Sequence, residues 1–529
     1  MLAKSLGVIV NPGSNMAPLH GRRLDENWSK AKRHPLPKIA QPRDRPRLGD
    51  GGGVMRAHLI GICGTAMAGV GILLKEAGMD VTGSDTASYP PMSTLLASRG
   101  IDILPGWNPA NVGRATGERS PVLSRPDIVV VGNVARKDNP EVLRAQESGI
   151  PLISMPQAIE RHFLPGRQSI VIAGTHGKTT VTSCTAWLLA HAGRDPGFLV
   201  GGIPLNFGRN AYLGCGHDFV IEGDEYDTAF FDKKAKFFHY NPSLAVMTSL
   251  EFDHADIYPD LEKIVSTFKE FADLVPPFGT LFYCADYPIL TEVAAACPGE
   301  TISYGTAPNA QARVSDISVG TQGTRFKLTL PGSRSHDVLV PMWGEHNALN
   351  ATAAALLARQ AGVPMPDIVE GLATFQGVKR RFETLAEAGG VTVIDDFAHH
   401  PTAVRATLAA ARTRFPDRRI FAAFHFESNT SRRKIFEAEY AQAFHGADHV
   451  FLTFPLKKND SLKPEEYLDP NAVLSGIRTY ASTCQAFQDM GELGTTLASQ
   501  LRPGDVVVGM SGRDFGPMYK VLVERLAGN

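Results

Sequence analysis

The sequence predicts an α/β protein built from three domains with mostly parallel sheets. Its 529 residues are too many for a single hydrophobic core, and length alone indicates roughly three domains. Short apolar segments alternate with helix-forming stretches, a pattern typical of parallel sheets covered by helices. One such segment ends in a Gly-Lys-Thr turn that opens a helix. We therefore expect a disordered extension at 1–54 and domains at 55–163, 164–377 and 378–529.

The composition argues against several classes of partner and location. The formal net charge is −1, so no overall positive field attracts nucleic acid or an acidic membrane surface. The six cysteines are scattered without zinc-site spacing, which is typical of free thiols in a reducing cytoplasm. The chain contains no run of about 18 apolar residues, so no membrane-spanning helix is expected.

The first folded segment begins near Met55, after an extension rich in Pro, Arg, Lys and Gly that has no apolar period. Its predicted elements are strands at 57–62, 80–82 and 127–131 and a helix at 67–77. This alternation of strand and helix implies a parallel sheet that binds ligands at the carboxyl ends of its strands.

Candidate ligand-binding residues follow these strands. The glycine-rich turn at 61–69 includes Gly64 and Thr65 and resembles a dinucleotide-binding turn only weakly. Ser84 and Asp85 follow the second strand and are candidates to hold a ribose or a base, and Asn133 follows a later strand. Two alternatives remain at this stage: a site for NAD, or a turn whose glycines serve tight packing alone.

The strongest motif is the phosphate cradle, which we define as residues 173–180. The apolar residues 169–172 precede it and a helix-forming stretch follows it, so its backbone N–H groups are expected to converge on a polyphosphate at a helix N-terminus. Lys178 supplies a positive charge for the β- and γ-phosphates, and Thr179 or Thr180 supplies a hydroxyl ligand for Mg²⁺. The candidate nucleotide-binding residues of the cradle are Gly174, Thr175, His176, Gly177, Lys178, Thr179 and Thr180. The alternative is an ordinary glycine-rich turn.

Carboxylates and a histidine follow the next two predicted strands. Four carboxylates lie between Glu222 and Asp227, directly after the strand 218–221. Glu222 is the best placed to complete Mg²⁺ coordination, because it lies at the strand terminus. His254 lies between two aspartates after the strand 244–247 and is either a metal ligand or a structural histidine. The alternative for the acidic run is a solvated turn.

The remaining candidates lie in the second half of the chain. Asn347 and Asn350 lie on one face of a predicted helix, where one of them can cap the helix and the other can bind an adenine edge. Arg381 belongs to a basic run at the predicted domain boundary, where it can reach phosphoryl charge across a hinge. Polar clusters follow two strands of the third domain, and their side chains suit an anionic substrate. Their candidate residues are Asp396, His399, Ser428, Asn429, Thr430, Arg432 and Arg433.

These motifs, taken in order, resemble those of the Mur ligase superfamily over residues 56–529. The resemblance implies a Rossmann-like N-terminal domain that binds a UDP-sugar, a central domain like a P-loop ATPase that binds ATP, and a Rossmann-like C-terminal domain that binds the amino acid or peptide. It also implies a ligase that activates the lactyl carboxylate of UDP-N-acetylmuramate as an acyl phosphate. ATP and Mg²⁺ are the implied cofactors. A muropeptide is the second substrate, and the enzyme is expected to be a monomer or a weak homo-oligomer.

The family resemblance assigns roles to the candidate residues. Lys178, Glu222, His254 and Arg381 are expected to be catalytic. Thr179 and Glu222 would hold one Mg²⁺ and His254 the other, while Asn347 and Asn350 would hold adenine. Asp396 and His399 would reach the nucleotide from the third domain.

Within the family, two ligases share this N-terminal glycine pattern. Segments 222–238 and 250–256 are similar to the recycling ligase that attaches L-alanyl-γ-D-glutamyl-meso-diaminopimelate. The ligase that adds L-alanine is the alternative, and a nicotinamide-dependent dehydrogenase is a remote one. The sequences at 432–434 and 510–516 depart from the commoner recycling pattern, which leaves the third peptide residue open. Lys269 has the spacing of a carbamylated lysine found in other members, a role that the two similar ligases generally lack.

Overall fold

Three separate sheets organise the part of the chain that the structure describes. The structure is a computed structural model, and it describes residues 54–88, 90–113, 125–454 and 462–528. The predicted disordered extension therefore lies outside the described residues, apart from Val54. The predicted α/β class, with its two Rossmann-like domains and a central P-loop-like domain, is confirmed. The predicted boundaries near 164 and 378 fall between sheets, and as limits of independent domains they remain proposals.

The first sheet has five parallel strands in the order β3-β2-β1-β4-β5, the arrangement of a doubly wound nucleotide-binding fold. Its strands are β1 Arg56–Ile60, β2 Asp80–Asp85, β3 Asp102–Pro105, β4 Ile128–Val131 and β5 Leu152–Ser154, and its helices are α1 Thr65–Glu76, α2 Met92–Ser98, α3 Pro140–Glu147 and α4 Met155–His162. Several sequence-based limits were wrong. The first strand ends at Ile60 instead of Ile62. The second strand extends through Asp85 instead of ending at Thr82, and α1 begins at Thr65 instead of Met67.

The second sheet has ten strands in the order β15-β14-β13-β12-β11-β10-β6-β9-β7-β8. Its strands are β6 Gln168–Ala173, β7 Gly197–Leu199, β8 Ala211–Tyr212, β9 Asp218–Glu222, β10 Leu244–Met247, β11 Thr280–Cys284, β12 Glu300–Gly305, β13 Ala312–Gly320, β14 Gly323–Thr329 and β15 Ser335–Val340. Its helices are α5 Lys178–His191, α6 Leu261–Asp273, α7 Ile289–Ala294, α8 Glu345–Gln360 and α9 Met365–Ala373. β6 lies between β9 and β10, so the three strand ends that carry the predicted site are neighbours.

The third sheet has six strands in the order β16-β17-β21-β18-β19-β20, and only β16 pairs in the antiparallel direction. Its strands are β16 Glu383–Ala388, β17 Val391–Asp396, β18 Ile420–His425, β19 His449–Thr453, β20 Thr483–Phe487 and β21 Val506–Met510. Its helices are α10 Pro401–Arg414, α11 Glu437–Gln442, α12 Pro470–Ile477, α13 Met490–Gln500 and α14 Gly516–Gly528.

The central core explains why the cradle is held firmly. Residues 170–173 of β6 are fully buried, as expected for a strand covered by helices on both faces. The helix that follows, α5, is buried almost all round, and it packs against α8 and α9. A helix enclosed in this way fixes the position of its own N-terminus. Within the described ranges, none of the helices combines the length and the apolar character needed to cross a membrane.

The link between the second and third sheets holds its conformation through side-chain contacts. Arg380 and Phe382 both have left-handed backbones, with φ of 59° and 55°. The Arg380 guanidinium donates to the carbonyl oxygens of Ser511 and Arg513, and the Phe382 N–H donates to Asp396 at 2.7 Å. Left-handed conformations are costly for residues other than glycine, so these contacts stabilise the link. The link thereby places Arg381 between the two domains.

Candidate active site

The cradle has the strand–turn–helix geometry that the sequence predicted. β6 ends at Ala173 and α5 begins at Lys178, and the turn between them contains two left-handed glycines. Gly174 has φ of 134°, and a Cβ atom there would collide with the Thr248 hydroxyl. Gly177 has φ of 84°, and its Cβ atom would lie 2.5 Å from Oδ1 of Asn350. Both positions therefore require glycine for backbone conformation and for space.

Two cradle amides are engaged within the protein. The N–H groups of Thr175 and His176 donate to the Ser249 carbonyl oxygen and hydroxyl, at 3.1 and 2.8 Å. The imidazole of His176 lies 3.0 Å from the Glu251 carboxylate. The residues after β10 therefore brace the cradle from one side.

Replacing Gly177 by alanine is expected to weaken nucleotide binding. The left-handed backbone costs alanine roughly 1–2 kcal/mol, and the new methyl group also meets Asn350. Gly166→Ala is the matched control, because Gly166 has φ of 74° and open space around its Cβ position. Both variants should lose thermal stability, whereas only Gly177→Ala should lose ADP affinity in calorimetry. Equal ADP affinities in the two variants would contradict the proposed role of the cradle in nucleotide binding.

Lys178 occupies the cradle as a largely buried cation, with 13% of its side chain exposed. Its ammonium group donates to the Gly174 carbonyl oxygen at 2.6 Å and to Glu225 Oε1 at 3.0 Å. Burial lowers the pKa of Lys178, but the carboxylates of Glu225, Asp224 and Glu222 raise it, and the net effect is a pKa above the ordinary value. The group therefore stays protonated at neutral pH. A bound triphosphate would offer this cation an alternative anionic partner.

Thr179 and Glu222 lie together, as a pair of Mg²⁺ ligands requires. The Thr179 hydroxyl donates to Glu222 Oε1 at 2.9 Å, and the Gly201 N–H donates to Oε2 at 2.8 Å. Arg381 reaches the same place from the interdomain link and donates to the Thr179 hydroxyl at 3.3 Å. Thr180, the other candidate hydroxyl, is buried in the same turn of α5. Of the two threonines, it is Thr179 that contacts the carboxylate.

His254 lies on the other side of Lys178 and is joined to it through Glu225. Its Nε2 atom lies 2.8 Å from Glu225 Oε1, and its backbone is left-handed with φ of 57°. Burial lowers the pKa of His254, whereas the hydrogen bond and charge of Glu225 and the charge of Asp253 raise it, to a net increase. Glu225 is the residue that sequence reasoning missed, because four carboxylates compete in the same short run.

The donor set suits Mg²⁺. The partly buried Glu222 carboxylate contacts the Thr179 hydroxyl, and the buried Glu225 carboxylate contacts His254. Hard oxygen donors of this kind, together with substrate phosphates, are the usual surroundings of Mg²⁺. The residues present therefore fit the ion that the sequence predicted.

The two predicted adenine ligands contact each other beside the cradle. Asn347 donates to the Trp343 carbonyl oxygen at 2.8 Å, and Asn350 donates to Oδ1 of Asn347 at 3.2 Å. Both side chains are buried on α8. Asn350 also faces Gly177, so the pair lies beside the end of the cradle turn where α5 begins. Adenine recognition by these residues remains a proposal.

The third domain contributes buried polar groups to the same cleft. Asp396 accepts hydrogen bonds from the N–H groups of Phe382 and Ala398, both at 2.7 Å, so its carboxylate stabilises the interdomain link. Nδ1 of His399 lies 3.0 Å from the Phe397 carbonyl oxygen, and burial lowers the pKa of His399. The guanidinium of Arg381 stacks on the ring of Phe397 at 5.0 Å.

The segment 428–433 lies against the loop that carries His254. Asn429 donates to Asp256 at 2.9 Å, and the Thr430 hydroxyl donates to Asp253. Arg432 donates to Asn429 at 3.0 Å, and the Ser428 hydroxyl donates to that of Ser431 at 2.9 Å. The Arg433 backbone pairs with that of Tyr467. The structure thus brings the predicted peptide-binding segment next to a predicted metal ligand.

The N-terminal candidates are divided between the cleft and the domain interior. The Asn133 amide donates to Asp227 at 3.3 Å, which links this domain to the acidic loop after β9. Asp85 accepts from the Cys63 N–H at 2.9 Å, which holds the glycine-rich turn that contains Gly64.

Two further candidates of this domain are engaged by other residues. The carbonyl oxygen of Thr65 accepts from Asn210 at 2.8 Å. Ser84 is fully buried and its hydroxyl donates to Glu141, so this hydroxyl is not presented to a ligand.

Comparisons with known proteins match the whole described architecture. Residues 56–164 match the Mur ligase family, catalytic domain; residues 172–358 match the Mur ligase middle domain; and residues 380–513 match the Mur ligase, glutamate ligase domain. The chain is 37% identical, over 89% of its length and 98% of the relative, to the UDP-N-acetylmuramate--L-alanyl-gamma-D-glutamyl-meso-2,6-diaminoheptandioate ligase of Escherichia coli (strain K12). It is 35% identical to a UDP-N-acetylmuramate--L-alanine ligase of Oleidesulfovibrio alaskensis, over 86% of this chain and 95% of that protein.

A solved structure is also similar to this chain in its three-dimensional fold. The crystal structure of a murein peptide ligase from Psychrobacter arcticus 273-4 is 31% identical to this chain. The match has a TM-score of 0.68 and covers 90% of this chain and 99% of the other.

Proposed function

Because the chain belongs to the Mur ligase family, we propose that it is an ATP-dependent ligase that joins a recycled peptide to the lactyl carboxylate of UDP-N-acetylmuramate. The peptide is L-alanyl-γ-D-glutamyl-meso-diaminopimelate, and the pathway is peptidoglycan recycling. The observation that carries the proposal is 37% identity over nearly the full length of a ligase with this printed activity. The enzyme is proposed to act in the cytoplasm, as a monomer or a weak homo-oligomer.

The site residues supply a consistent chemistry. We place the β- and γ-phosphates of ATP at Lys178, one Mg²⁺ at Thr179 and Glu222, and a second at Glu225 and His254. Mg²⁺ would neutralise phosphate charge as the carboxylate of the sugar substrate attacks the γ-phosphate. Arg381 lies where it can stabilise the charge of the transferring group. The contacts of segment 428–433 with the His254 loop would exclude water from the acyl phosphate.

One assay tests the proposed activity. UDP-N-acetylmuramate and ATP are offered with L-alanine, dipeptide, tripeptide or tetrapeptide, and ADP release is followed. We expect turnover with the tripeptide and little with free L-alanine. Turnover with L-alanine alone would instead indicate that the chain is an L-alanine ligase, the activity for which the 35% identical relative is named. ADP release that does not depend on UDP-N-acetylmuramate would contradict both. A separate binding measurement with NAD tests the remote dehydrogenase alternative, which an absence of NAD binding would remove.

Arg432 and Arg433 are expected to contact a carboxylate of the peptide. Alanine at either position should raise the KM for tripeptide about 10- to 100-fold, with a smaller effect on kcat, because a charged hydrogen bond contributes about 1.5–3 kcal/mol. Arg478→Ala, at an exposed position of the same domain, is the matched control. Initial rates of ADP release at varied tripeptide concentration give both constants. Unchanged KM in both variants would assign these arginines to the protein surface alone.

A further inference from the structure

Three potential metal ligands from distant parts of the chain converge beside the cradle. They are His176 in the turn before α5, Glu251 after β10, and His400 at the N-terminus of α10. Oε2 of Glu251 lies 3.0 Å from Nε2 of His176 and 3.8 Å from Nδ1 of His400. One ligand atom from each residue lies within 4.8 Å of the other two. No other group of three such residues meets this condition in the described ranges.

We propose that these residues form a binding site for a transition-metal ion of the Zn²⁺ class, separate from the Mg²⁺ sites. Two imidazole nitrogens and one carboxylate oxygen are a donor set that Zn²⁺ prefers and Mg²⁺ does not. Zinc bonds of about 2.0–2.2 Å place tetrahedral ligand atoms roughly 3.3–3.5 Å apart. The two Glu251 contacts, at 3.0 and 3.8 Å, bracket this spacing, and the two histidine nitrogens lie within 4.8 Å of each other. Binding therefore requires the imidazoles to adjust around the Glu251 oxygen.

The hydrogen bonding of the His400 imidazole favours its role as a metal ligand. Its Nδ1 atom accepts a long hydrogen bond, 3.3 Å, from the N–H of Thr402, so this nitrogen carries a lone pair and the proton lies on Nε2. Nε2 is buried without a hydrogen-bond partner, and the residue is only 5% exposed. A metal-bound imidazole must be neutral and must offer a lone pair; Nδ1 of His400, which faces Glu251, carries one, and the ion would take it over from the long hydrogen bond of the Thr402 N–H.

The site joins two domains. His176 belongs to the cradle of the central domain, whereas His400 belongs to the third domain and caps α10. An ion held by both would fix the arrangement of these two domains seen in the structure and immobilise the cradle turn. The Mg²⁺ candidates Thr179, Glu222 and His254 are not among its ligands. Micromolar Zn²⁺ is therefore expected to slow turnover even when Mg²⁺ saturates the catalytic sites.

The test is a titration of the full-length protein with Zn²⁺ in excess Mg²⁺, in competition with a chromogenic chelator. We expect one Zn²⁺ per chain, and Co²⁺ in its place should give the visible absorption of a four- or five-coordinate ion. Glu251→Gln and His400→Asn should each weaken Zn²⁺ binding about 100-fold or more. Asparagine at 400 keeps an acceptor for the Thr402 N–H, so α10 retains its cap.

Two control variants distinguish Zn²⁺ binding at this site from binding at other carboxylates. Glu160→Gln removes a carboxylate that also pairs with a histidine, His239, and it should leave Zn²⁺ binding unchanged. Glu222→Gln should do the same, because Glu222 belongs to the proposed Mg²⁺ site. Absence of Zn²⁺ binding in excess Mg²⁺ would overturn the proposal. Zn²⁺ binding that survives both Glu251→Gln and His400→Asn would overturn it as well. Loss of Zn²⁺ binding in Glu222→Gln would have the same consequence.

Discussion

Alanine in place of Lys178 is expected to abolish ligation while the protein still binds UDP-N-acetylmuramate. The variant removes the ammonium group that donates to the Gly174 carbonyl oxygen in the cradle, where the β- and γ-phosphates would bind. Loss of one preorganised charge in a buried site lowers kcat by about 10²–10³-fold or more. ADP release measures the loss, and calorimetry with the UDP-sugar measures the retained binding. Lys269→Ala is the control, because Lys269 is partly exposed and pairs with Glu292 on the helix surface.

The same substitution also leaves buried carboxylates without their cation. Breaking a buried pair costs about 3–5 kcal/mol, so loss of activity through unfolding must be separated from loss of catalysis. The double variant Lys178→Ala/Glu225→Gln removes the unpaired charge and should recover much of the thermal stability. We expect it to remain inactive. Near-normal turnover in either variant would remove Lys178 from the proposed mechanism.

The sequence predicted the cradle well because the cradle is a local structure. An apolar strand, two glycines that adopt left-handed backbones, and a helix start are all encoded within residues 169–190. The neighbourhood of Glu222 and His254 was also predictable in outline. Their strands, β9 and β10, flank β6, and the carboxyl ends of parallel strands meet at one edge of a sheet.

Side-chain partners from distant segments were not predictable in this way. Glu225 bonds to both Lys178 and His254, yet the sequence favoured Glu222 on its position at the strand end. The Ser84 hydroxyl is directed into the domain interior by Glu141, which lies 57 positions later in the chain. The antiparallel hairpins were missed for a different reason, because their signals are local but short. Gly389 and Gly390, both left-handed, form the two-residue turn between β16 and β17, and a two-residue turn also joins β13 to β14.

Replacing Glu222 by glutamine is expected to raise the Mg²⁺ concentration needed for activity and to lower kcat by about 10²-fold or more. Glutamine keeps the shape of the side chain, and its oxygen can still accept from the Gly201 N–H while its amide group donates to the Thr179 hydroxyl, but it removes the negative charge that would balance the ion. Burial raises the pKa of Glu222, which means that the folded protein disfavours the charged carboxylate when no ion is bound. Glutamine resembles the neutral form at every pH.

The stability of the metal-free variant should therefore equal or exceed that of the parent above the ordinary carboxyl pKa, because a raised pKa destabilises the folded state there. Thermal unfolding without Mg²⁺ and ADP release across a Mg²⁺ series measure the two effects separately. Glu292→Gln, at a side chain exposed by 66%, is the control that should change neither. A variant with reduced activity, normal Mg²⁺ dependence and lower metal-free stability would assign Glu222 a purely structural role. If Glu222 binds the ion directly, the variant should need a higher Mg²⁺ concentration for activity while its metal-free stability is undiminished.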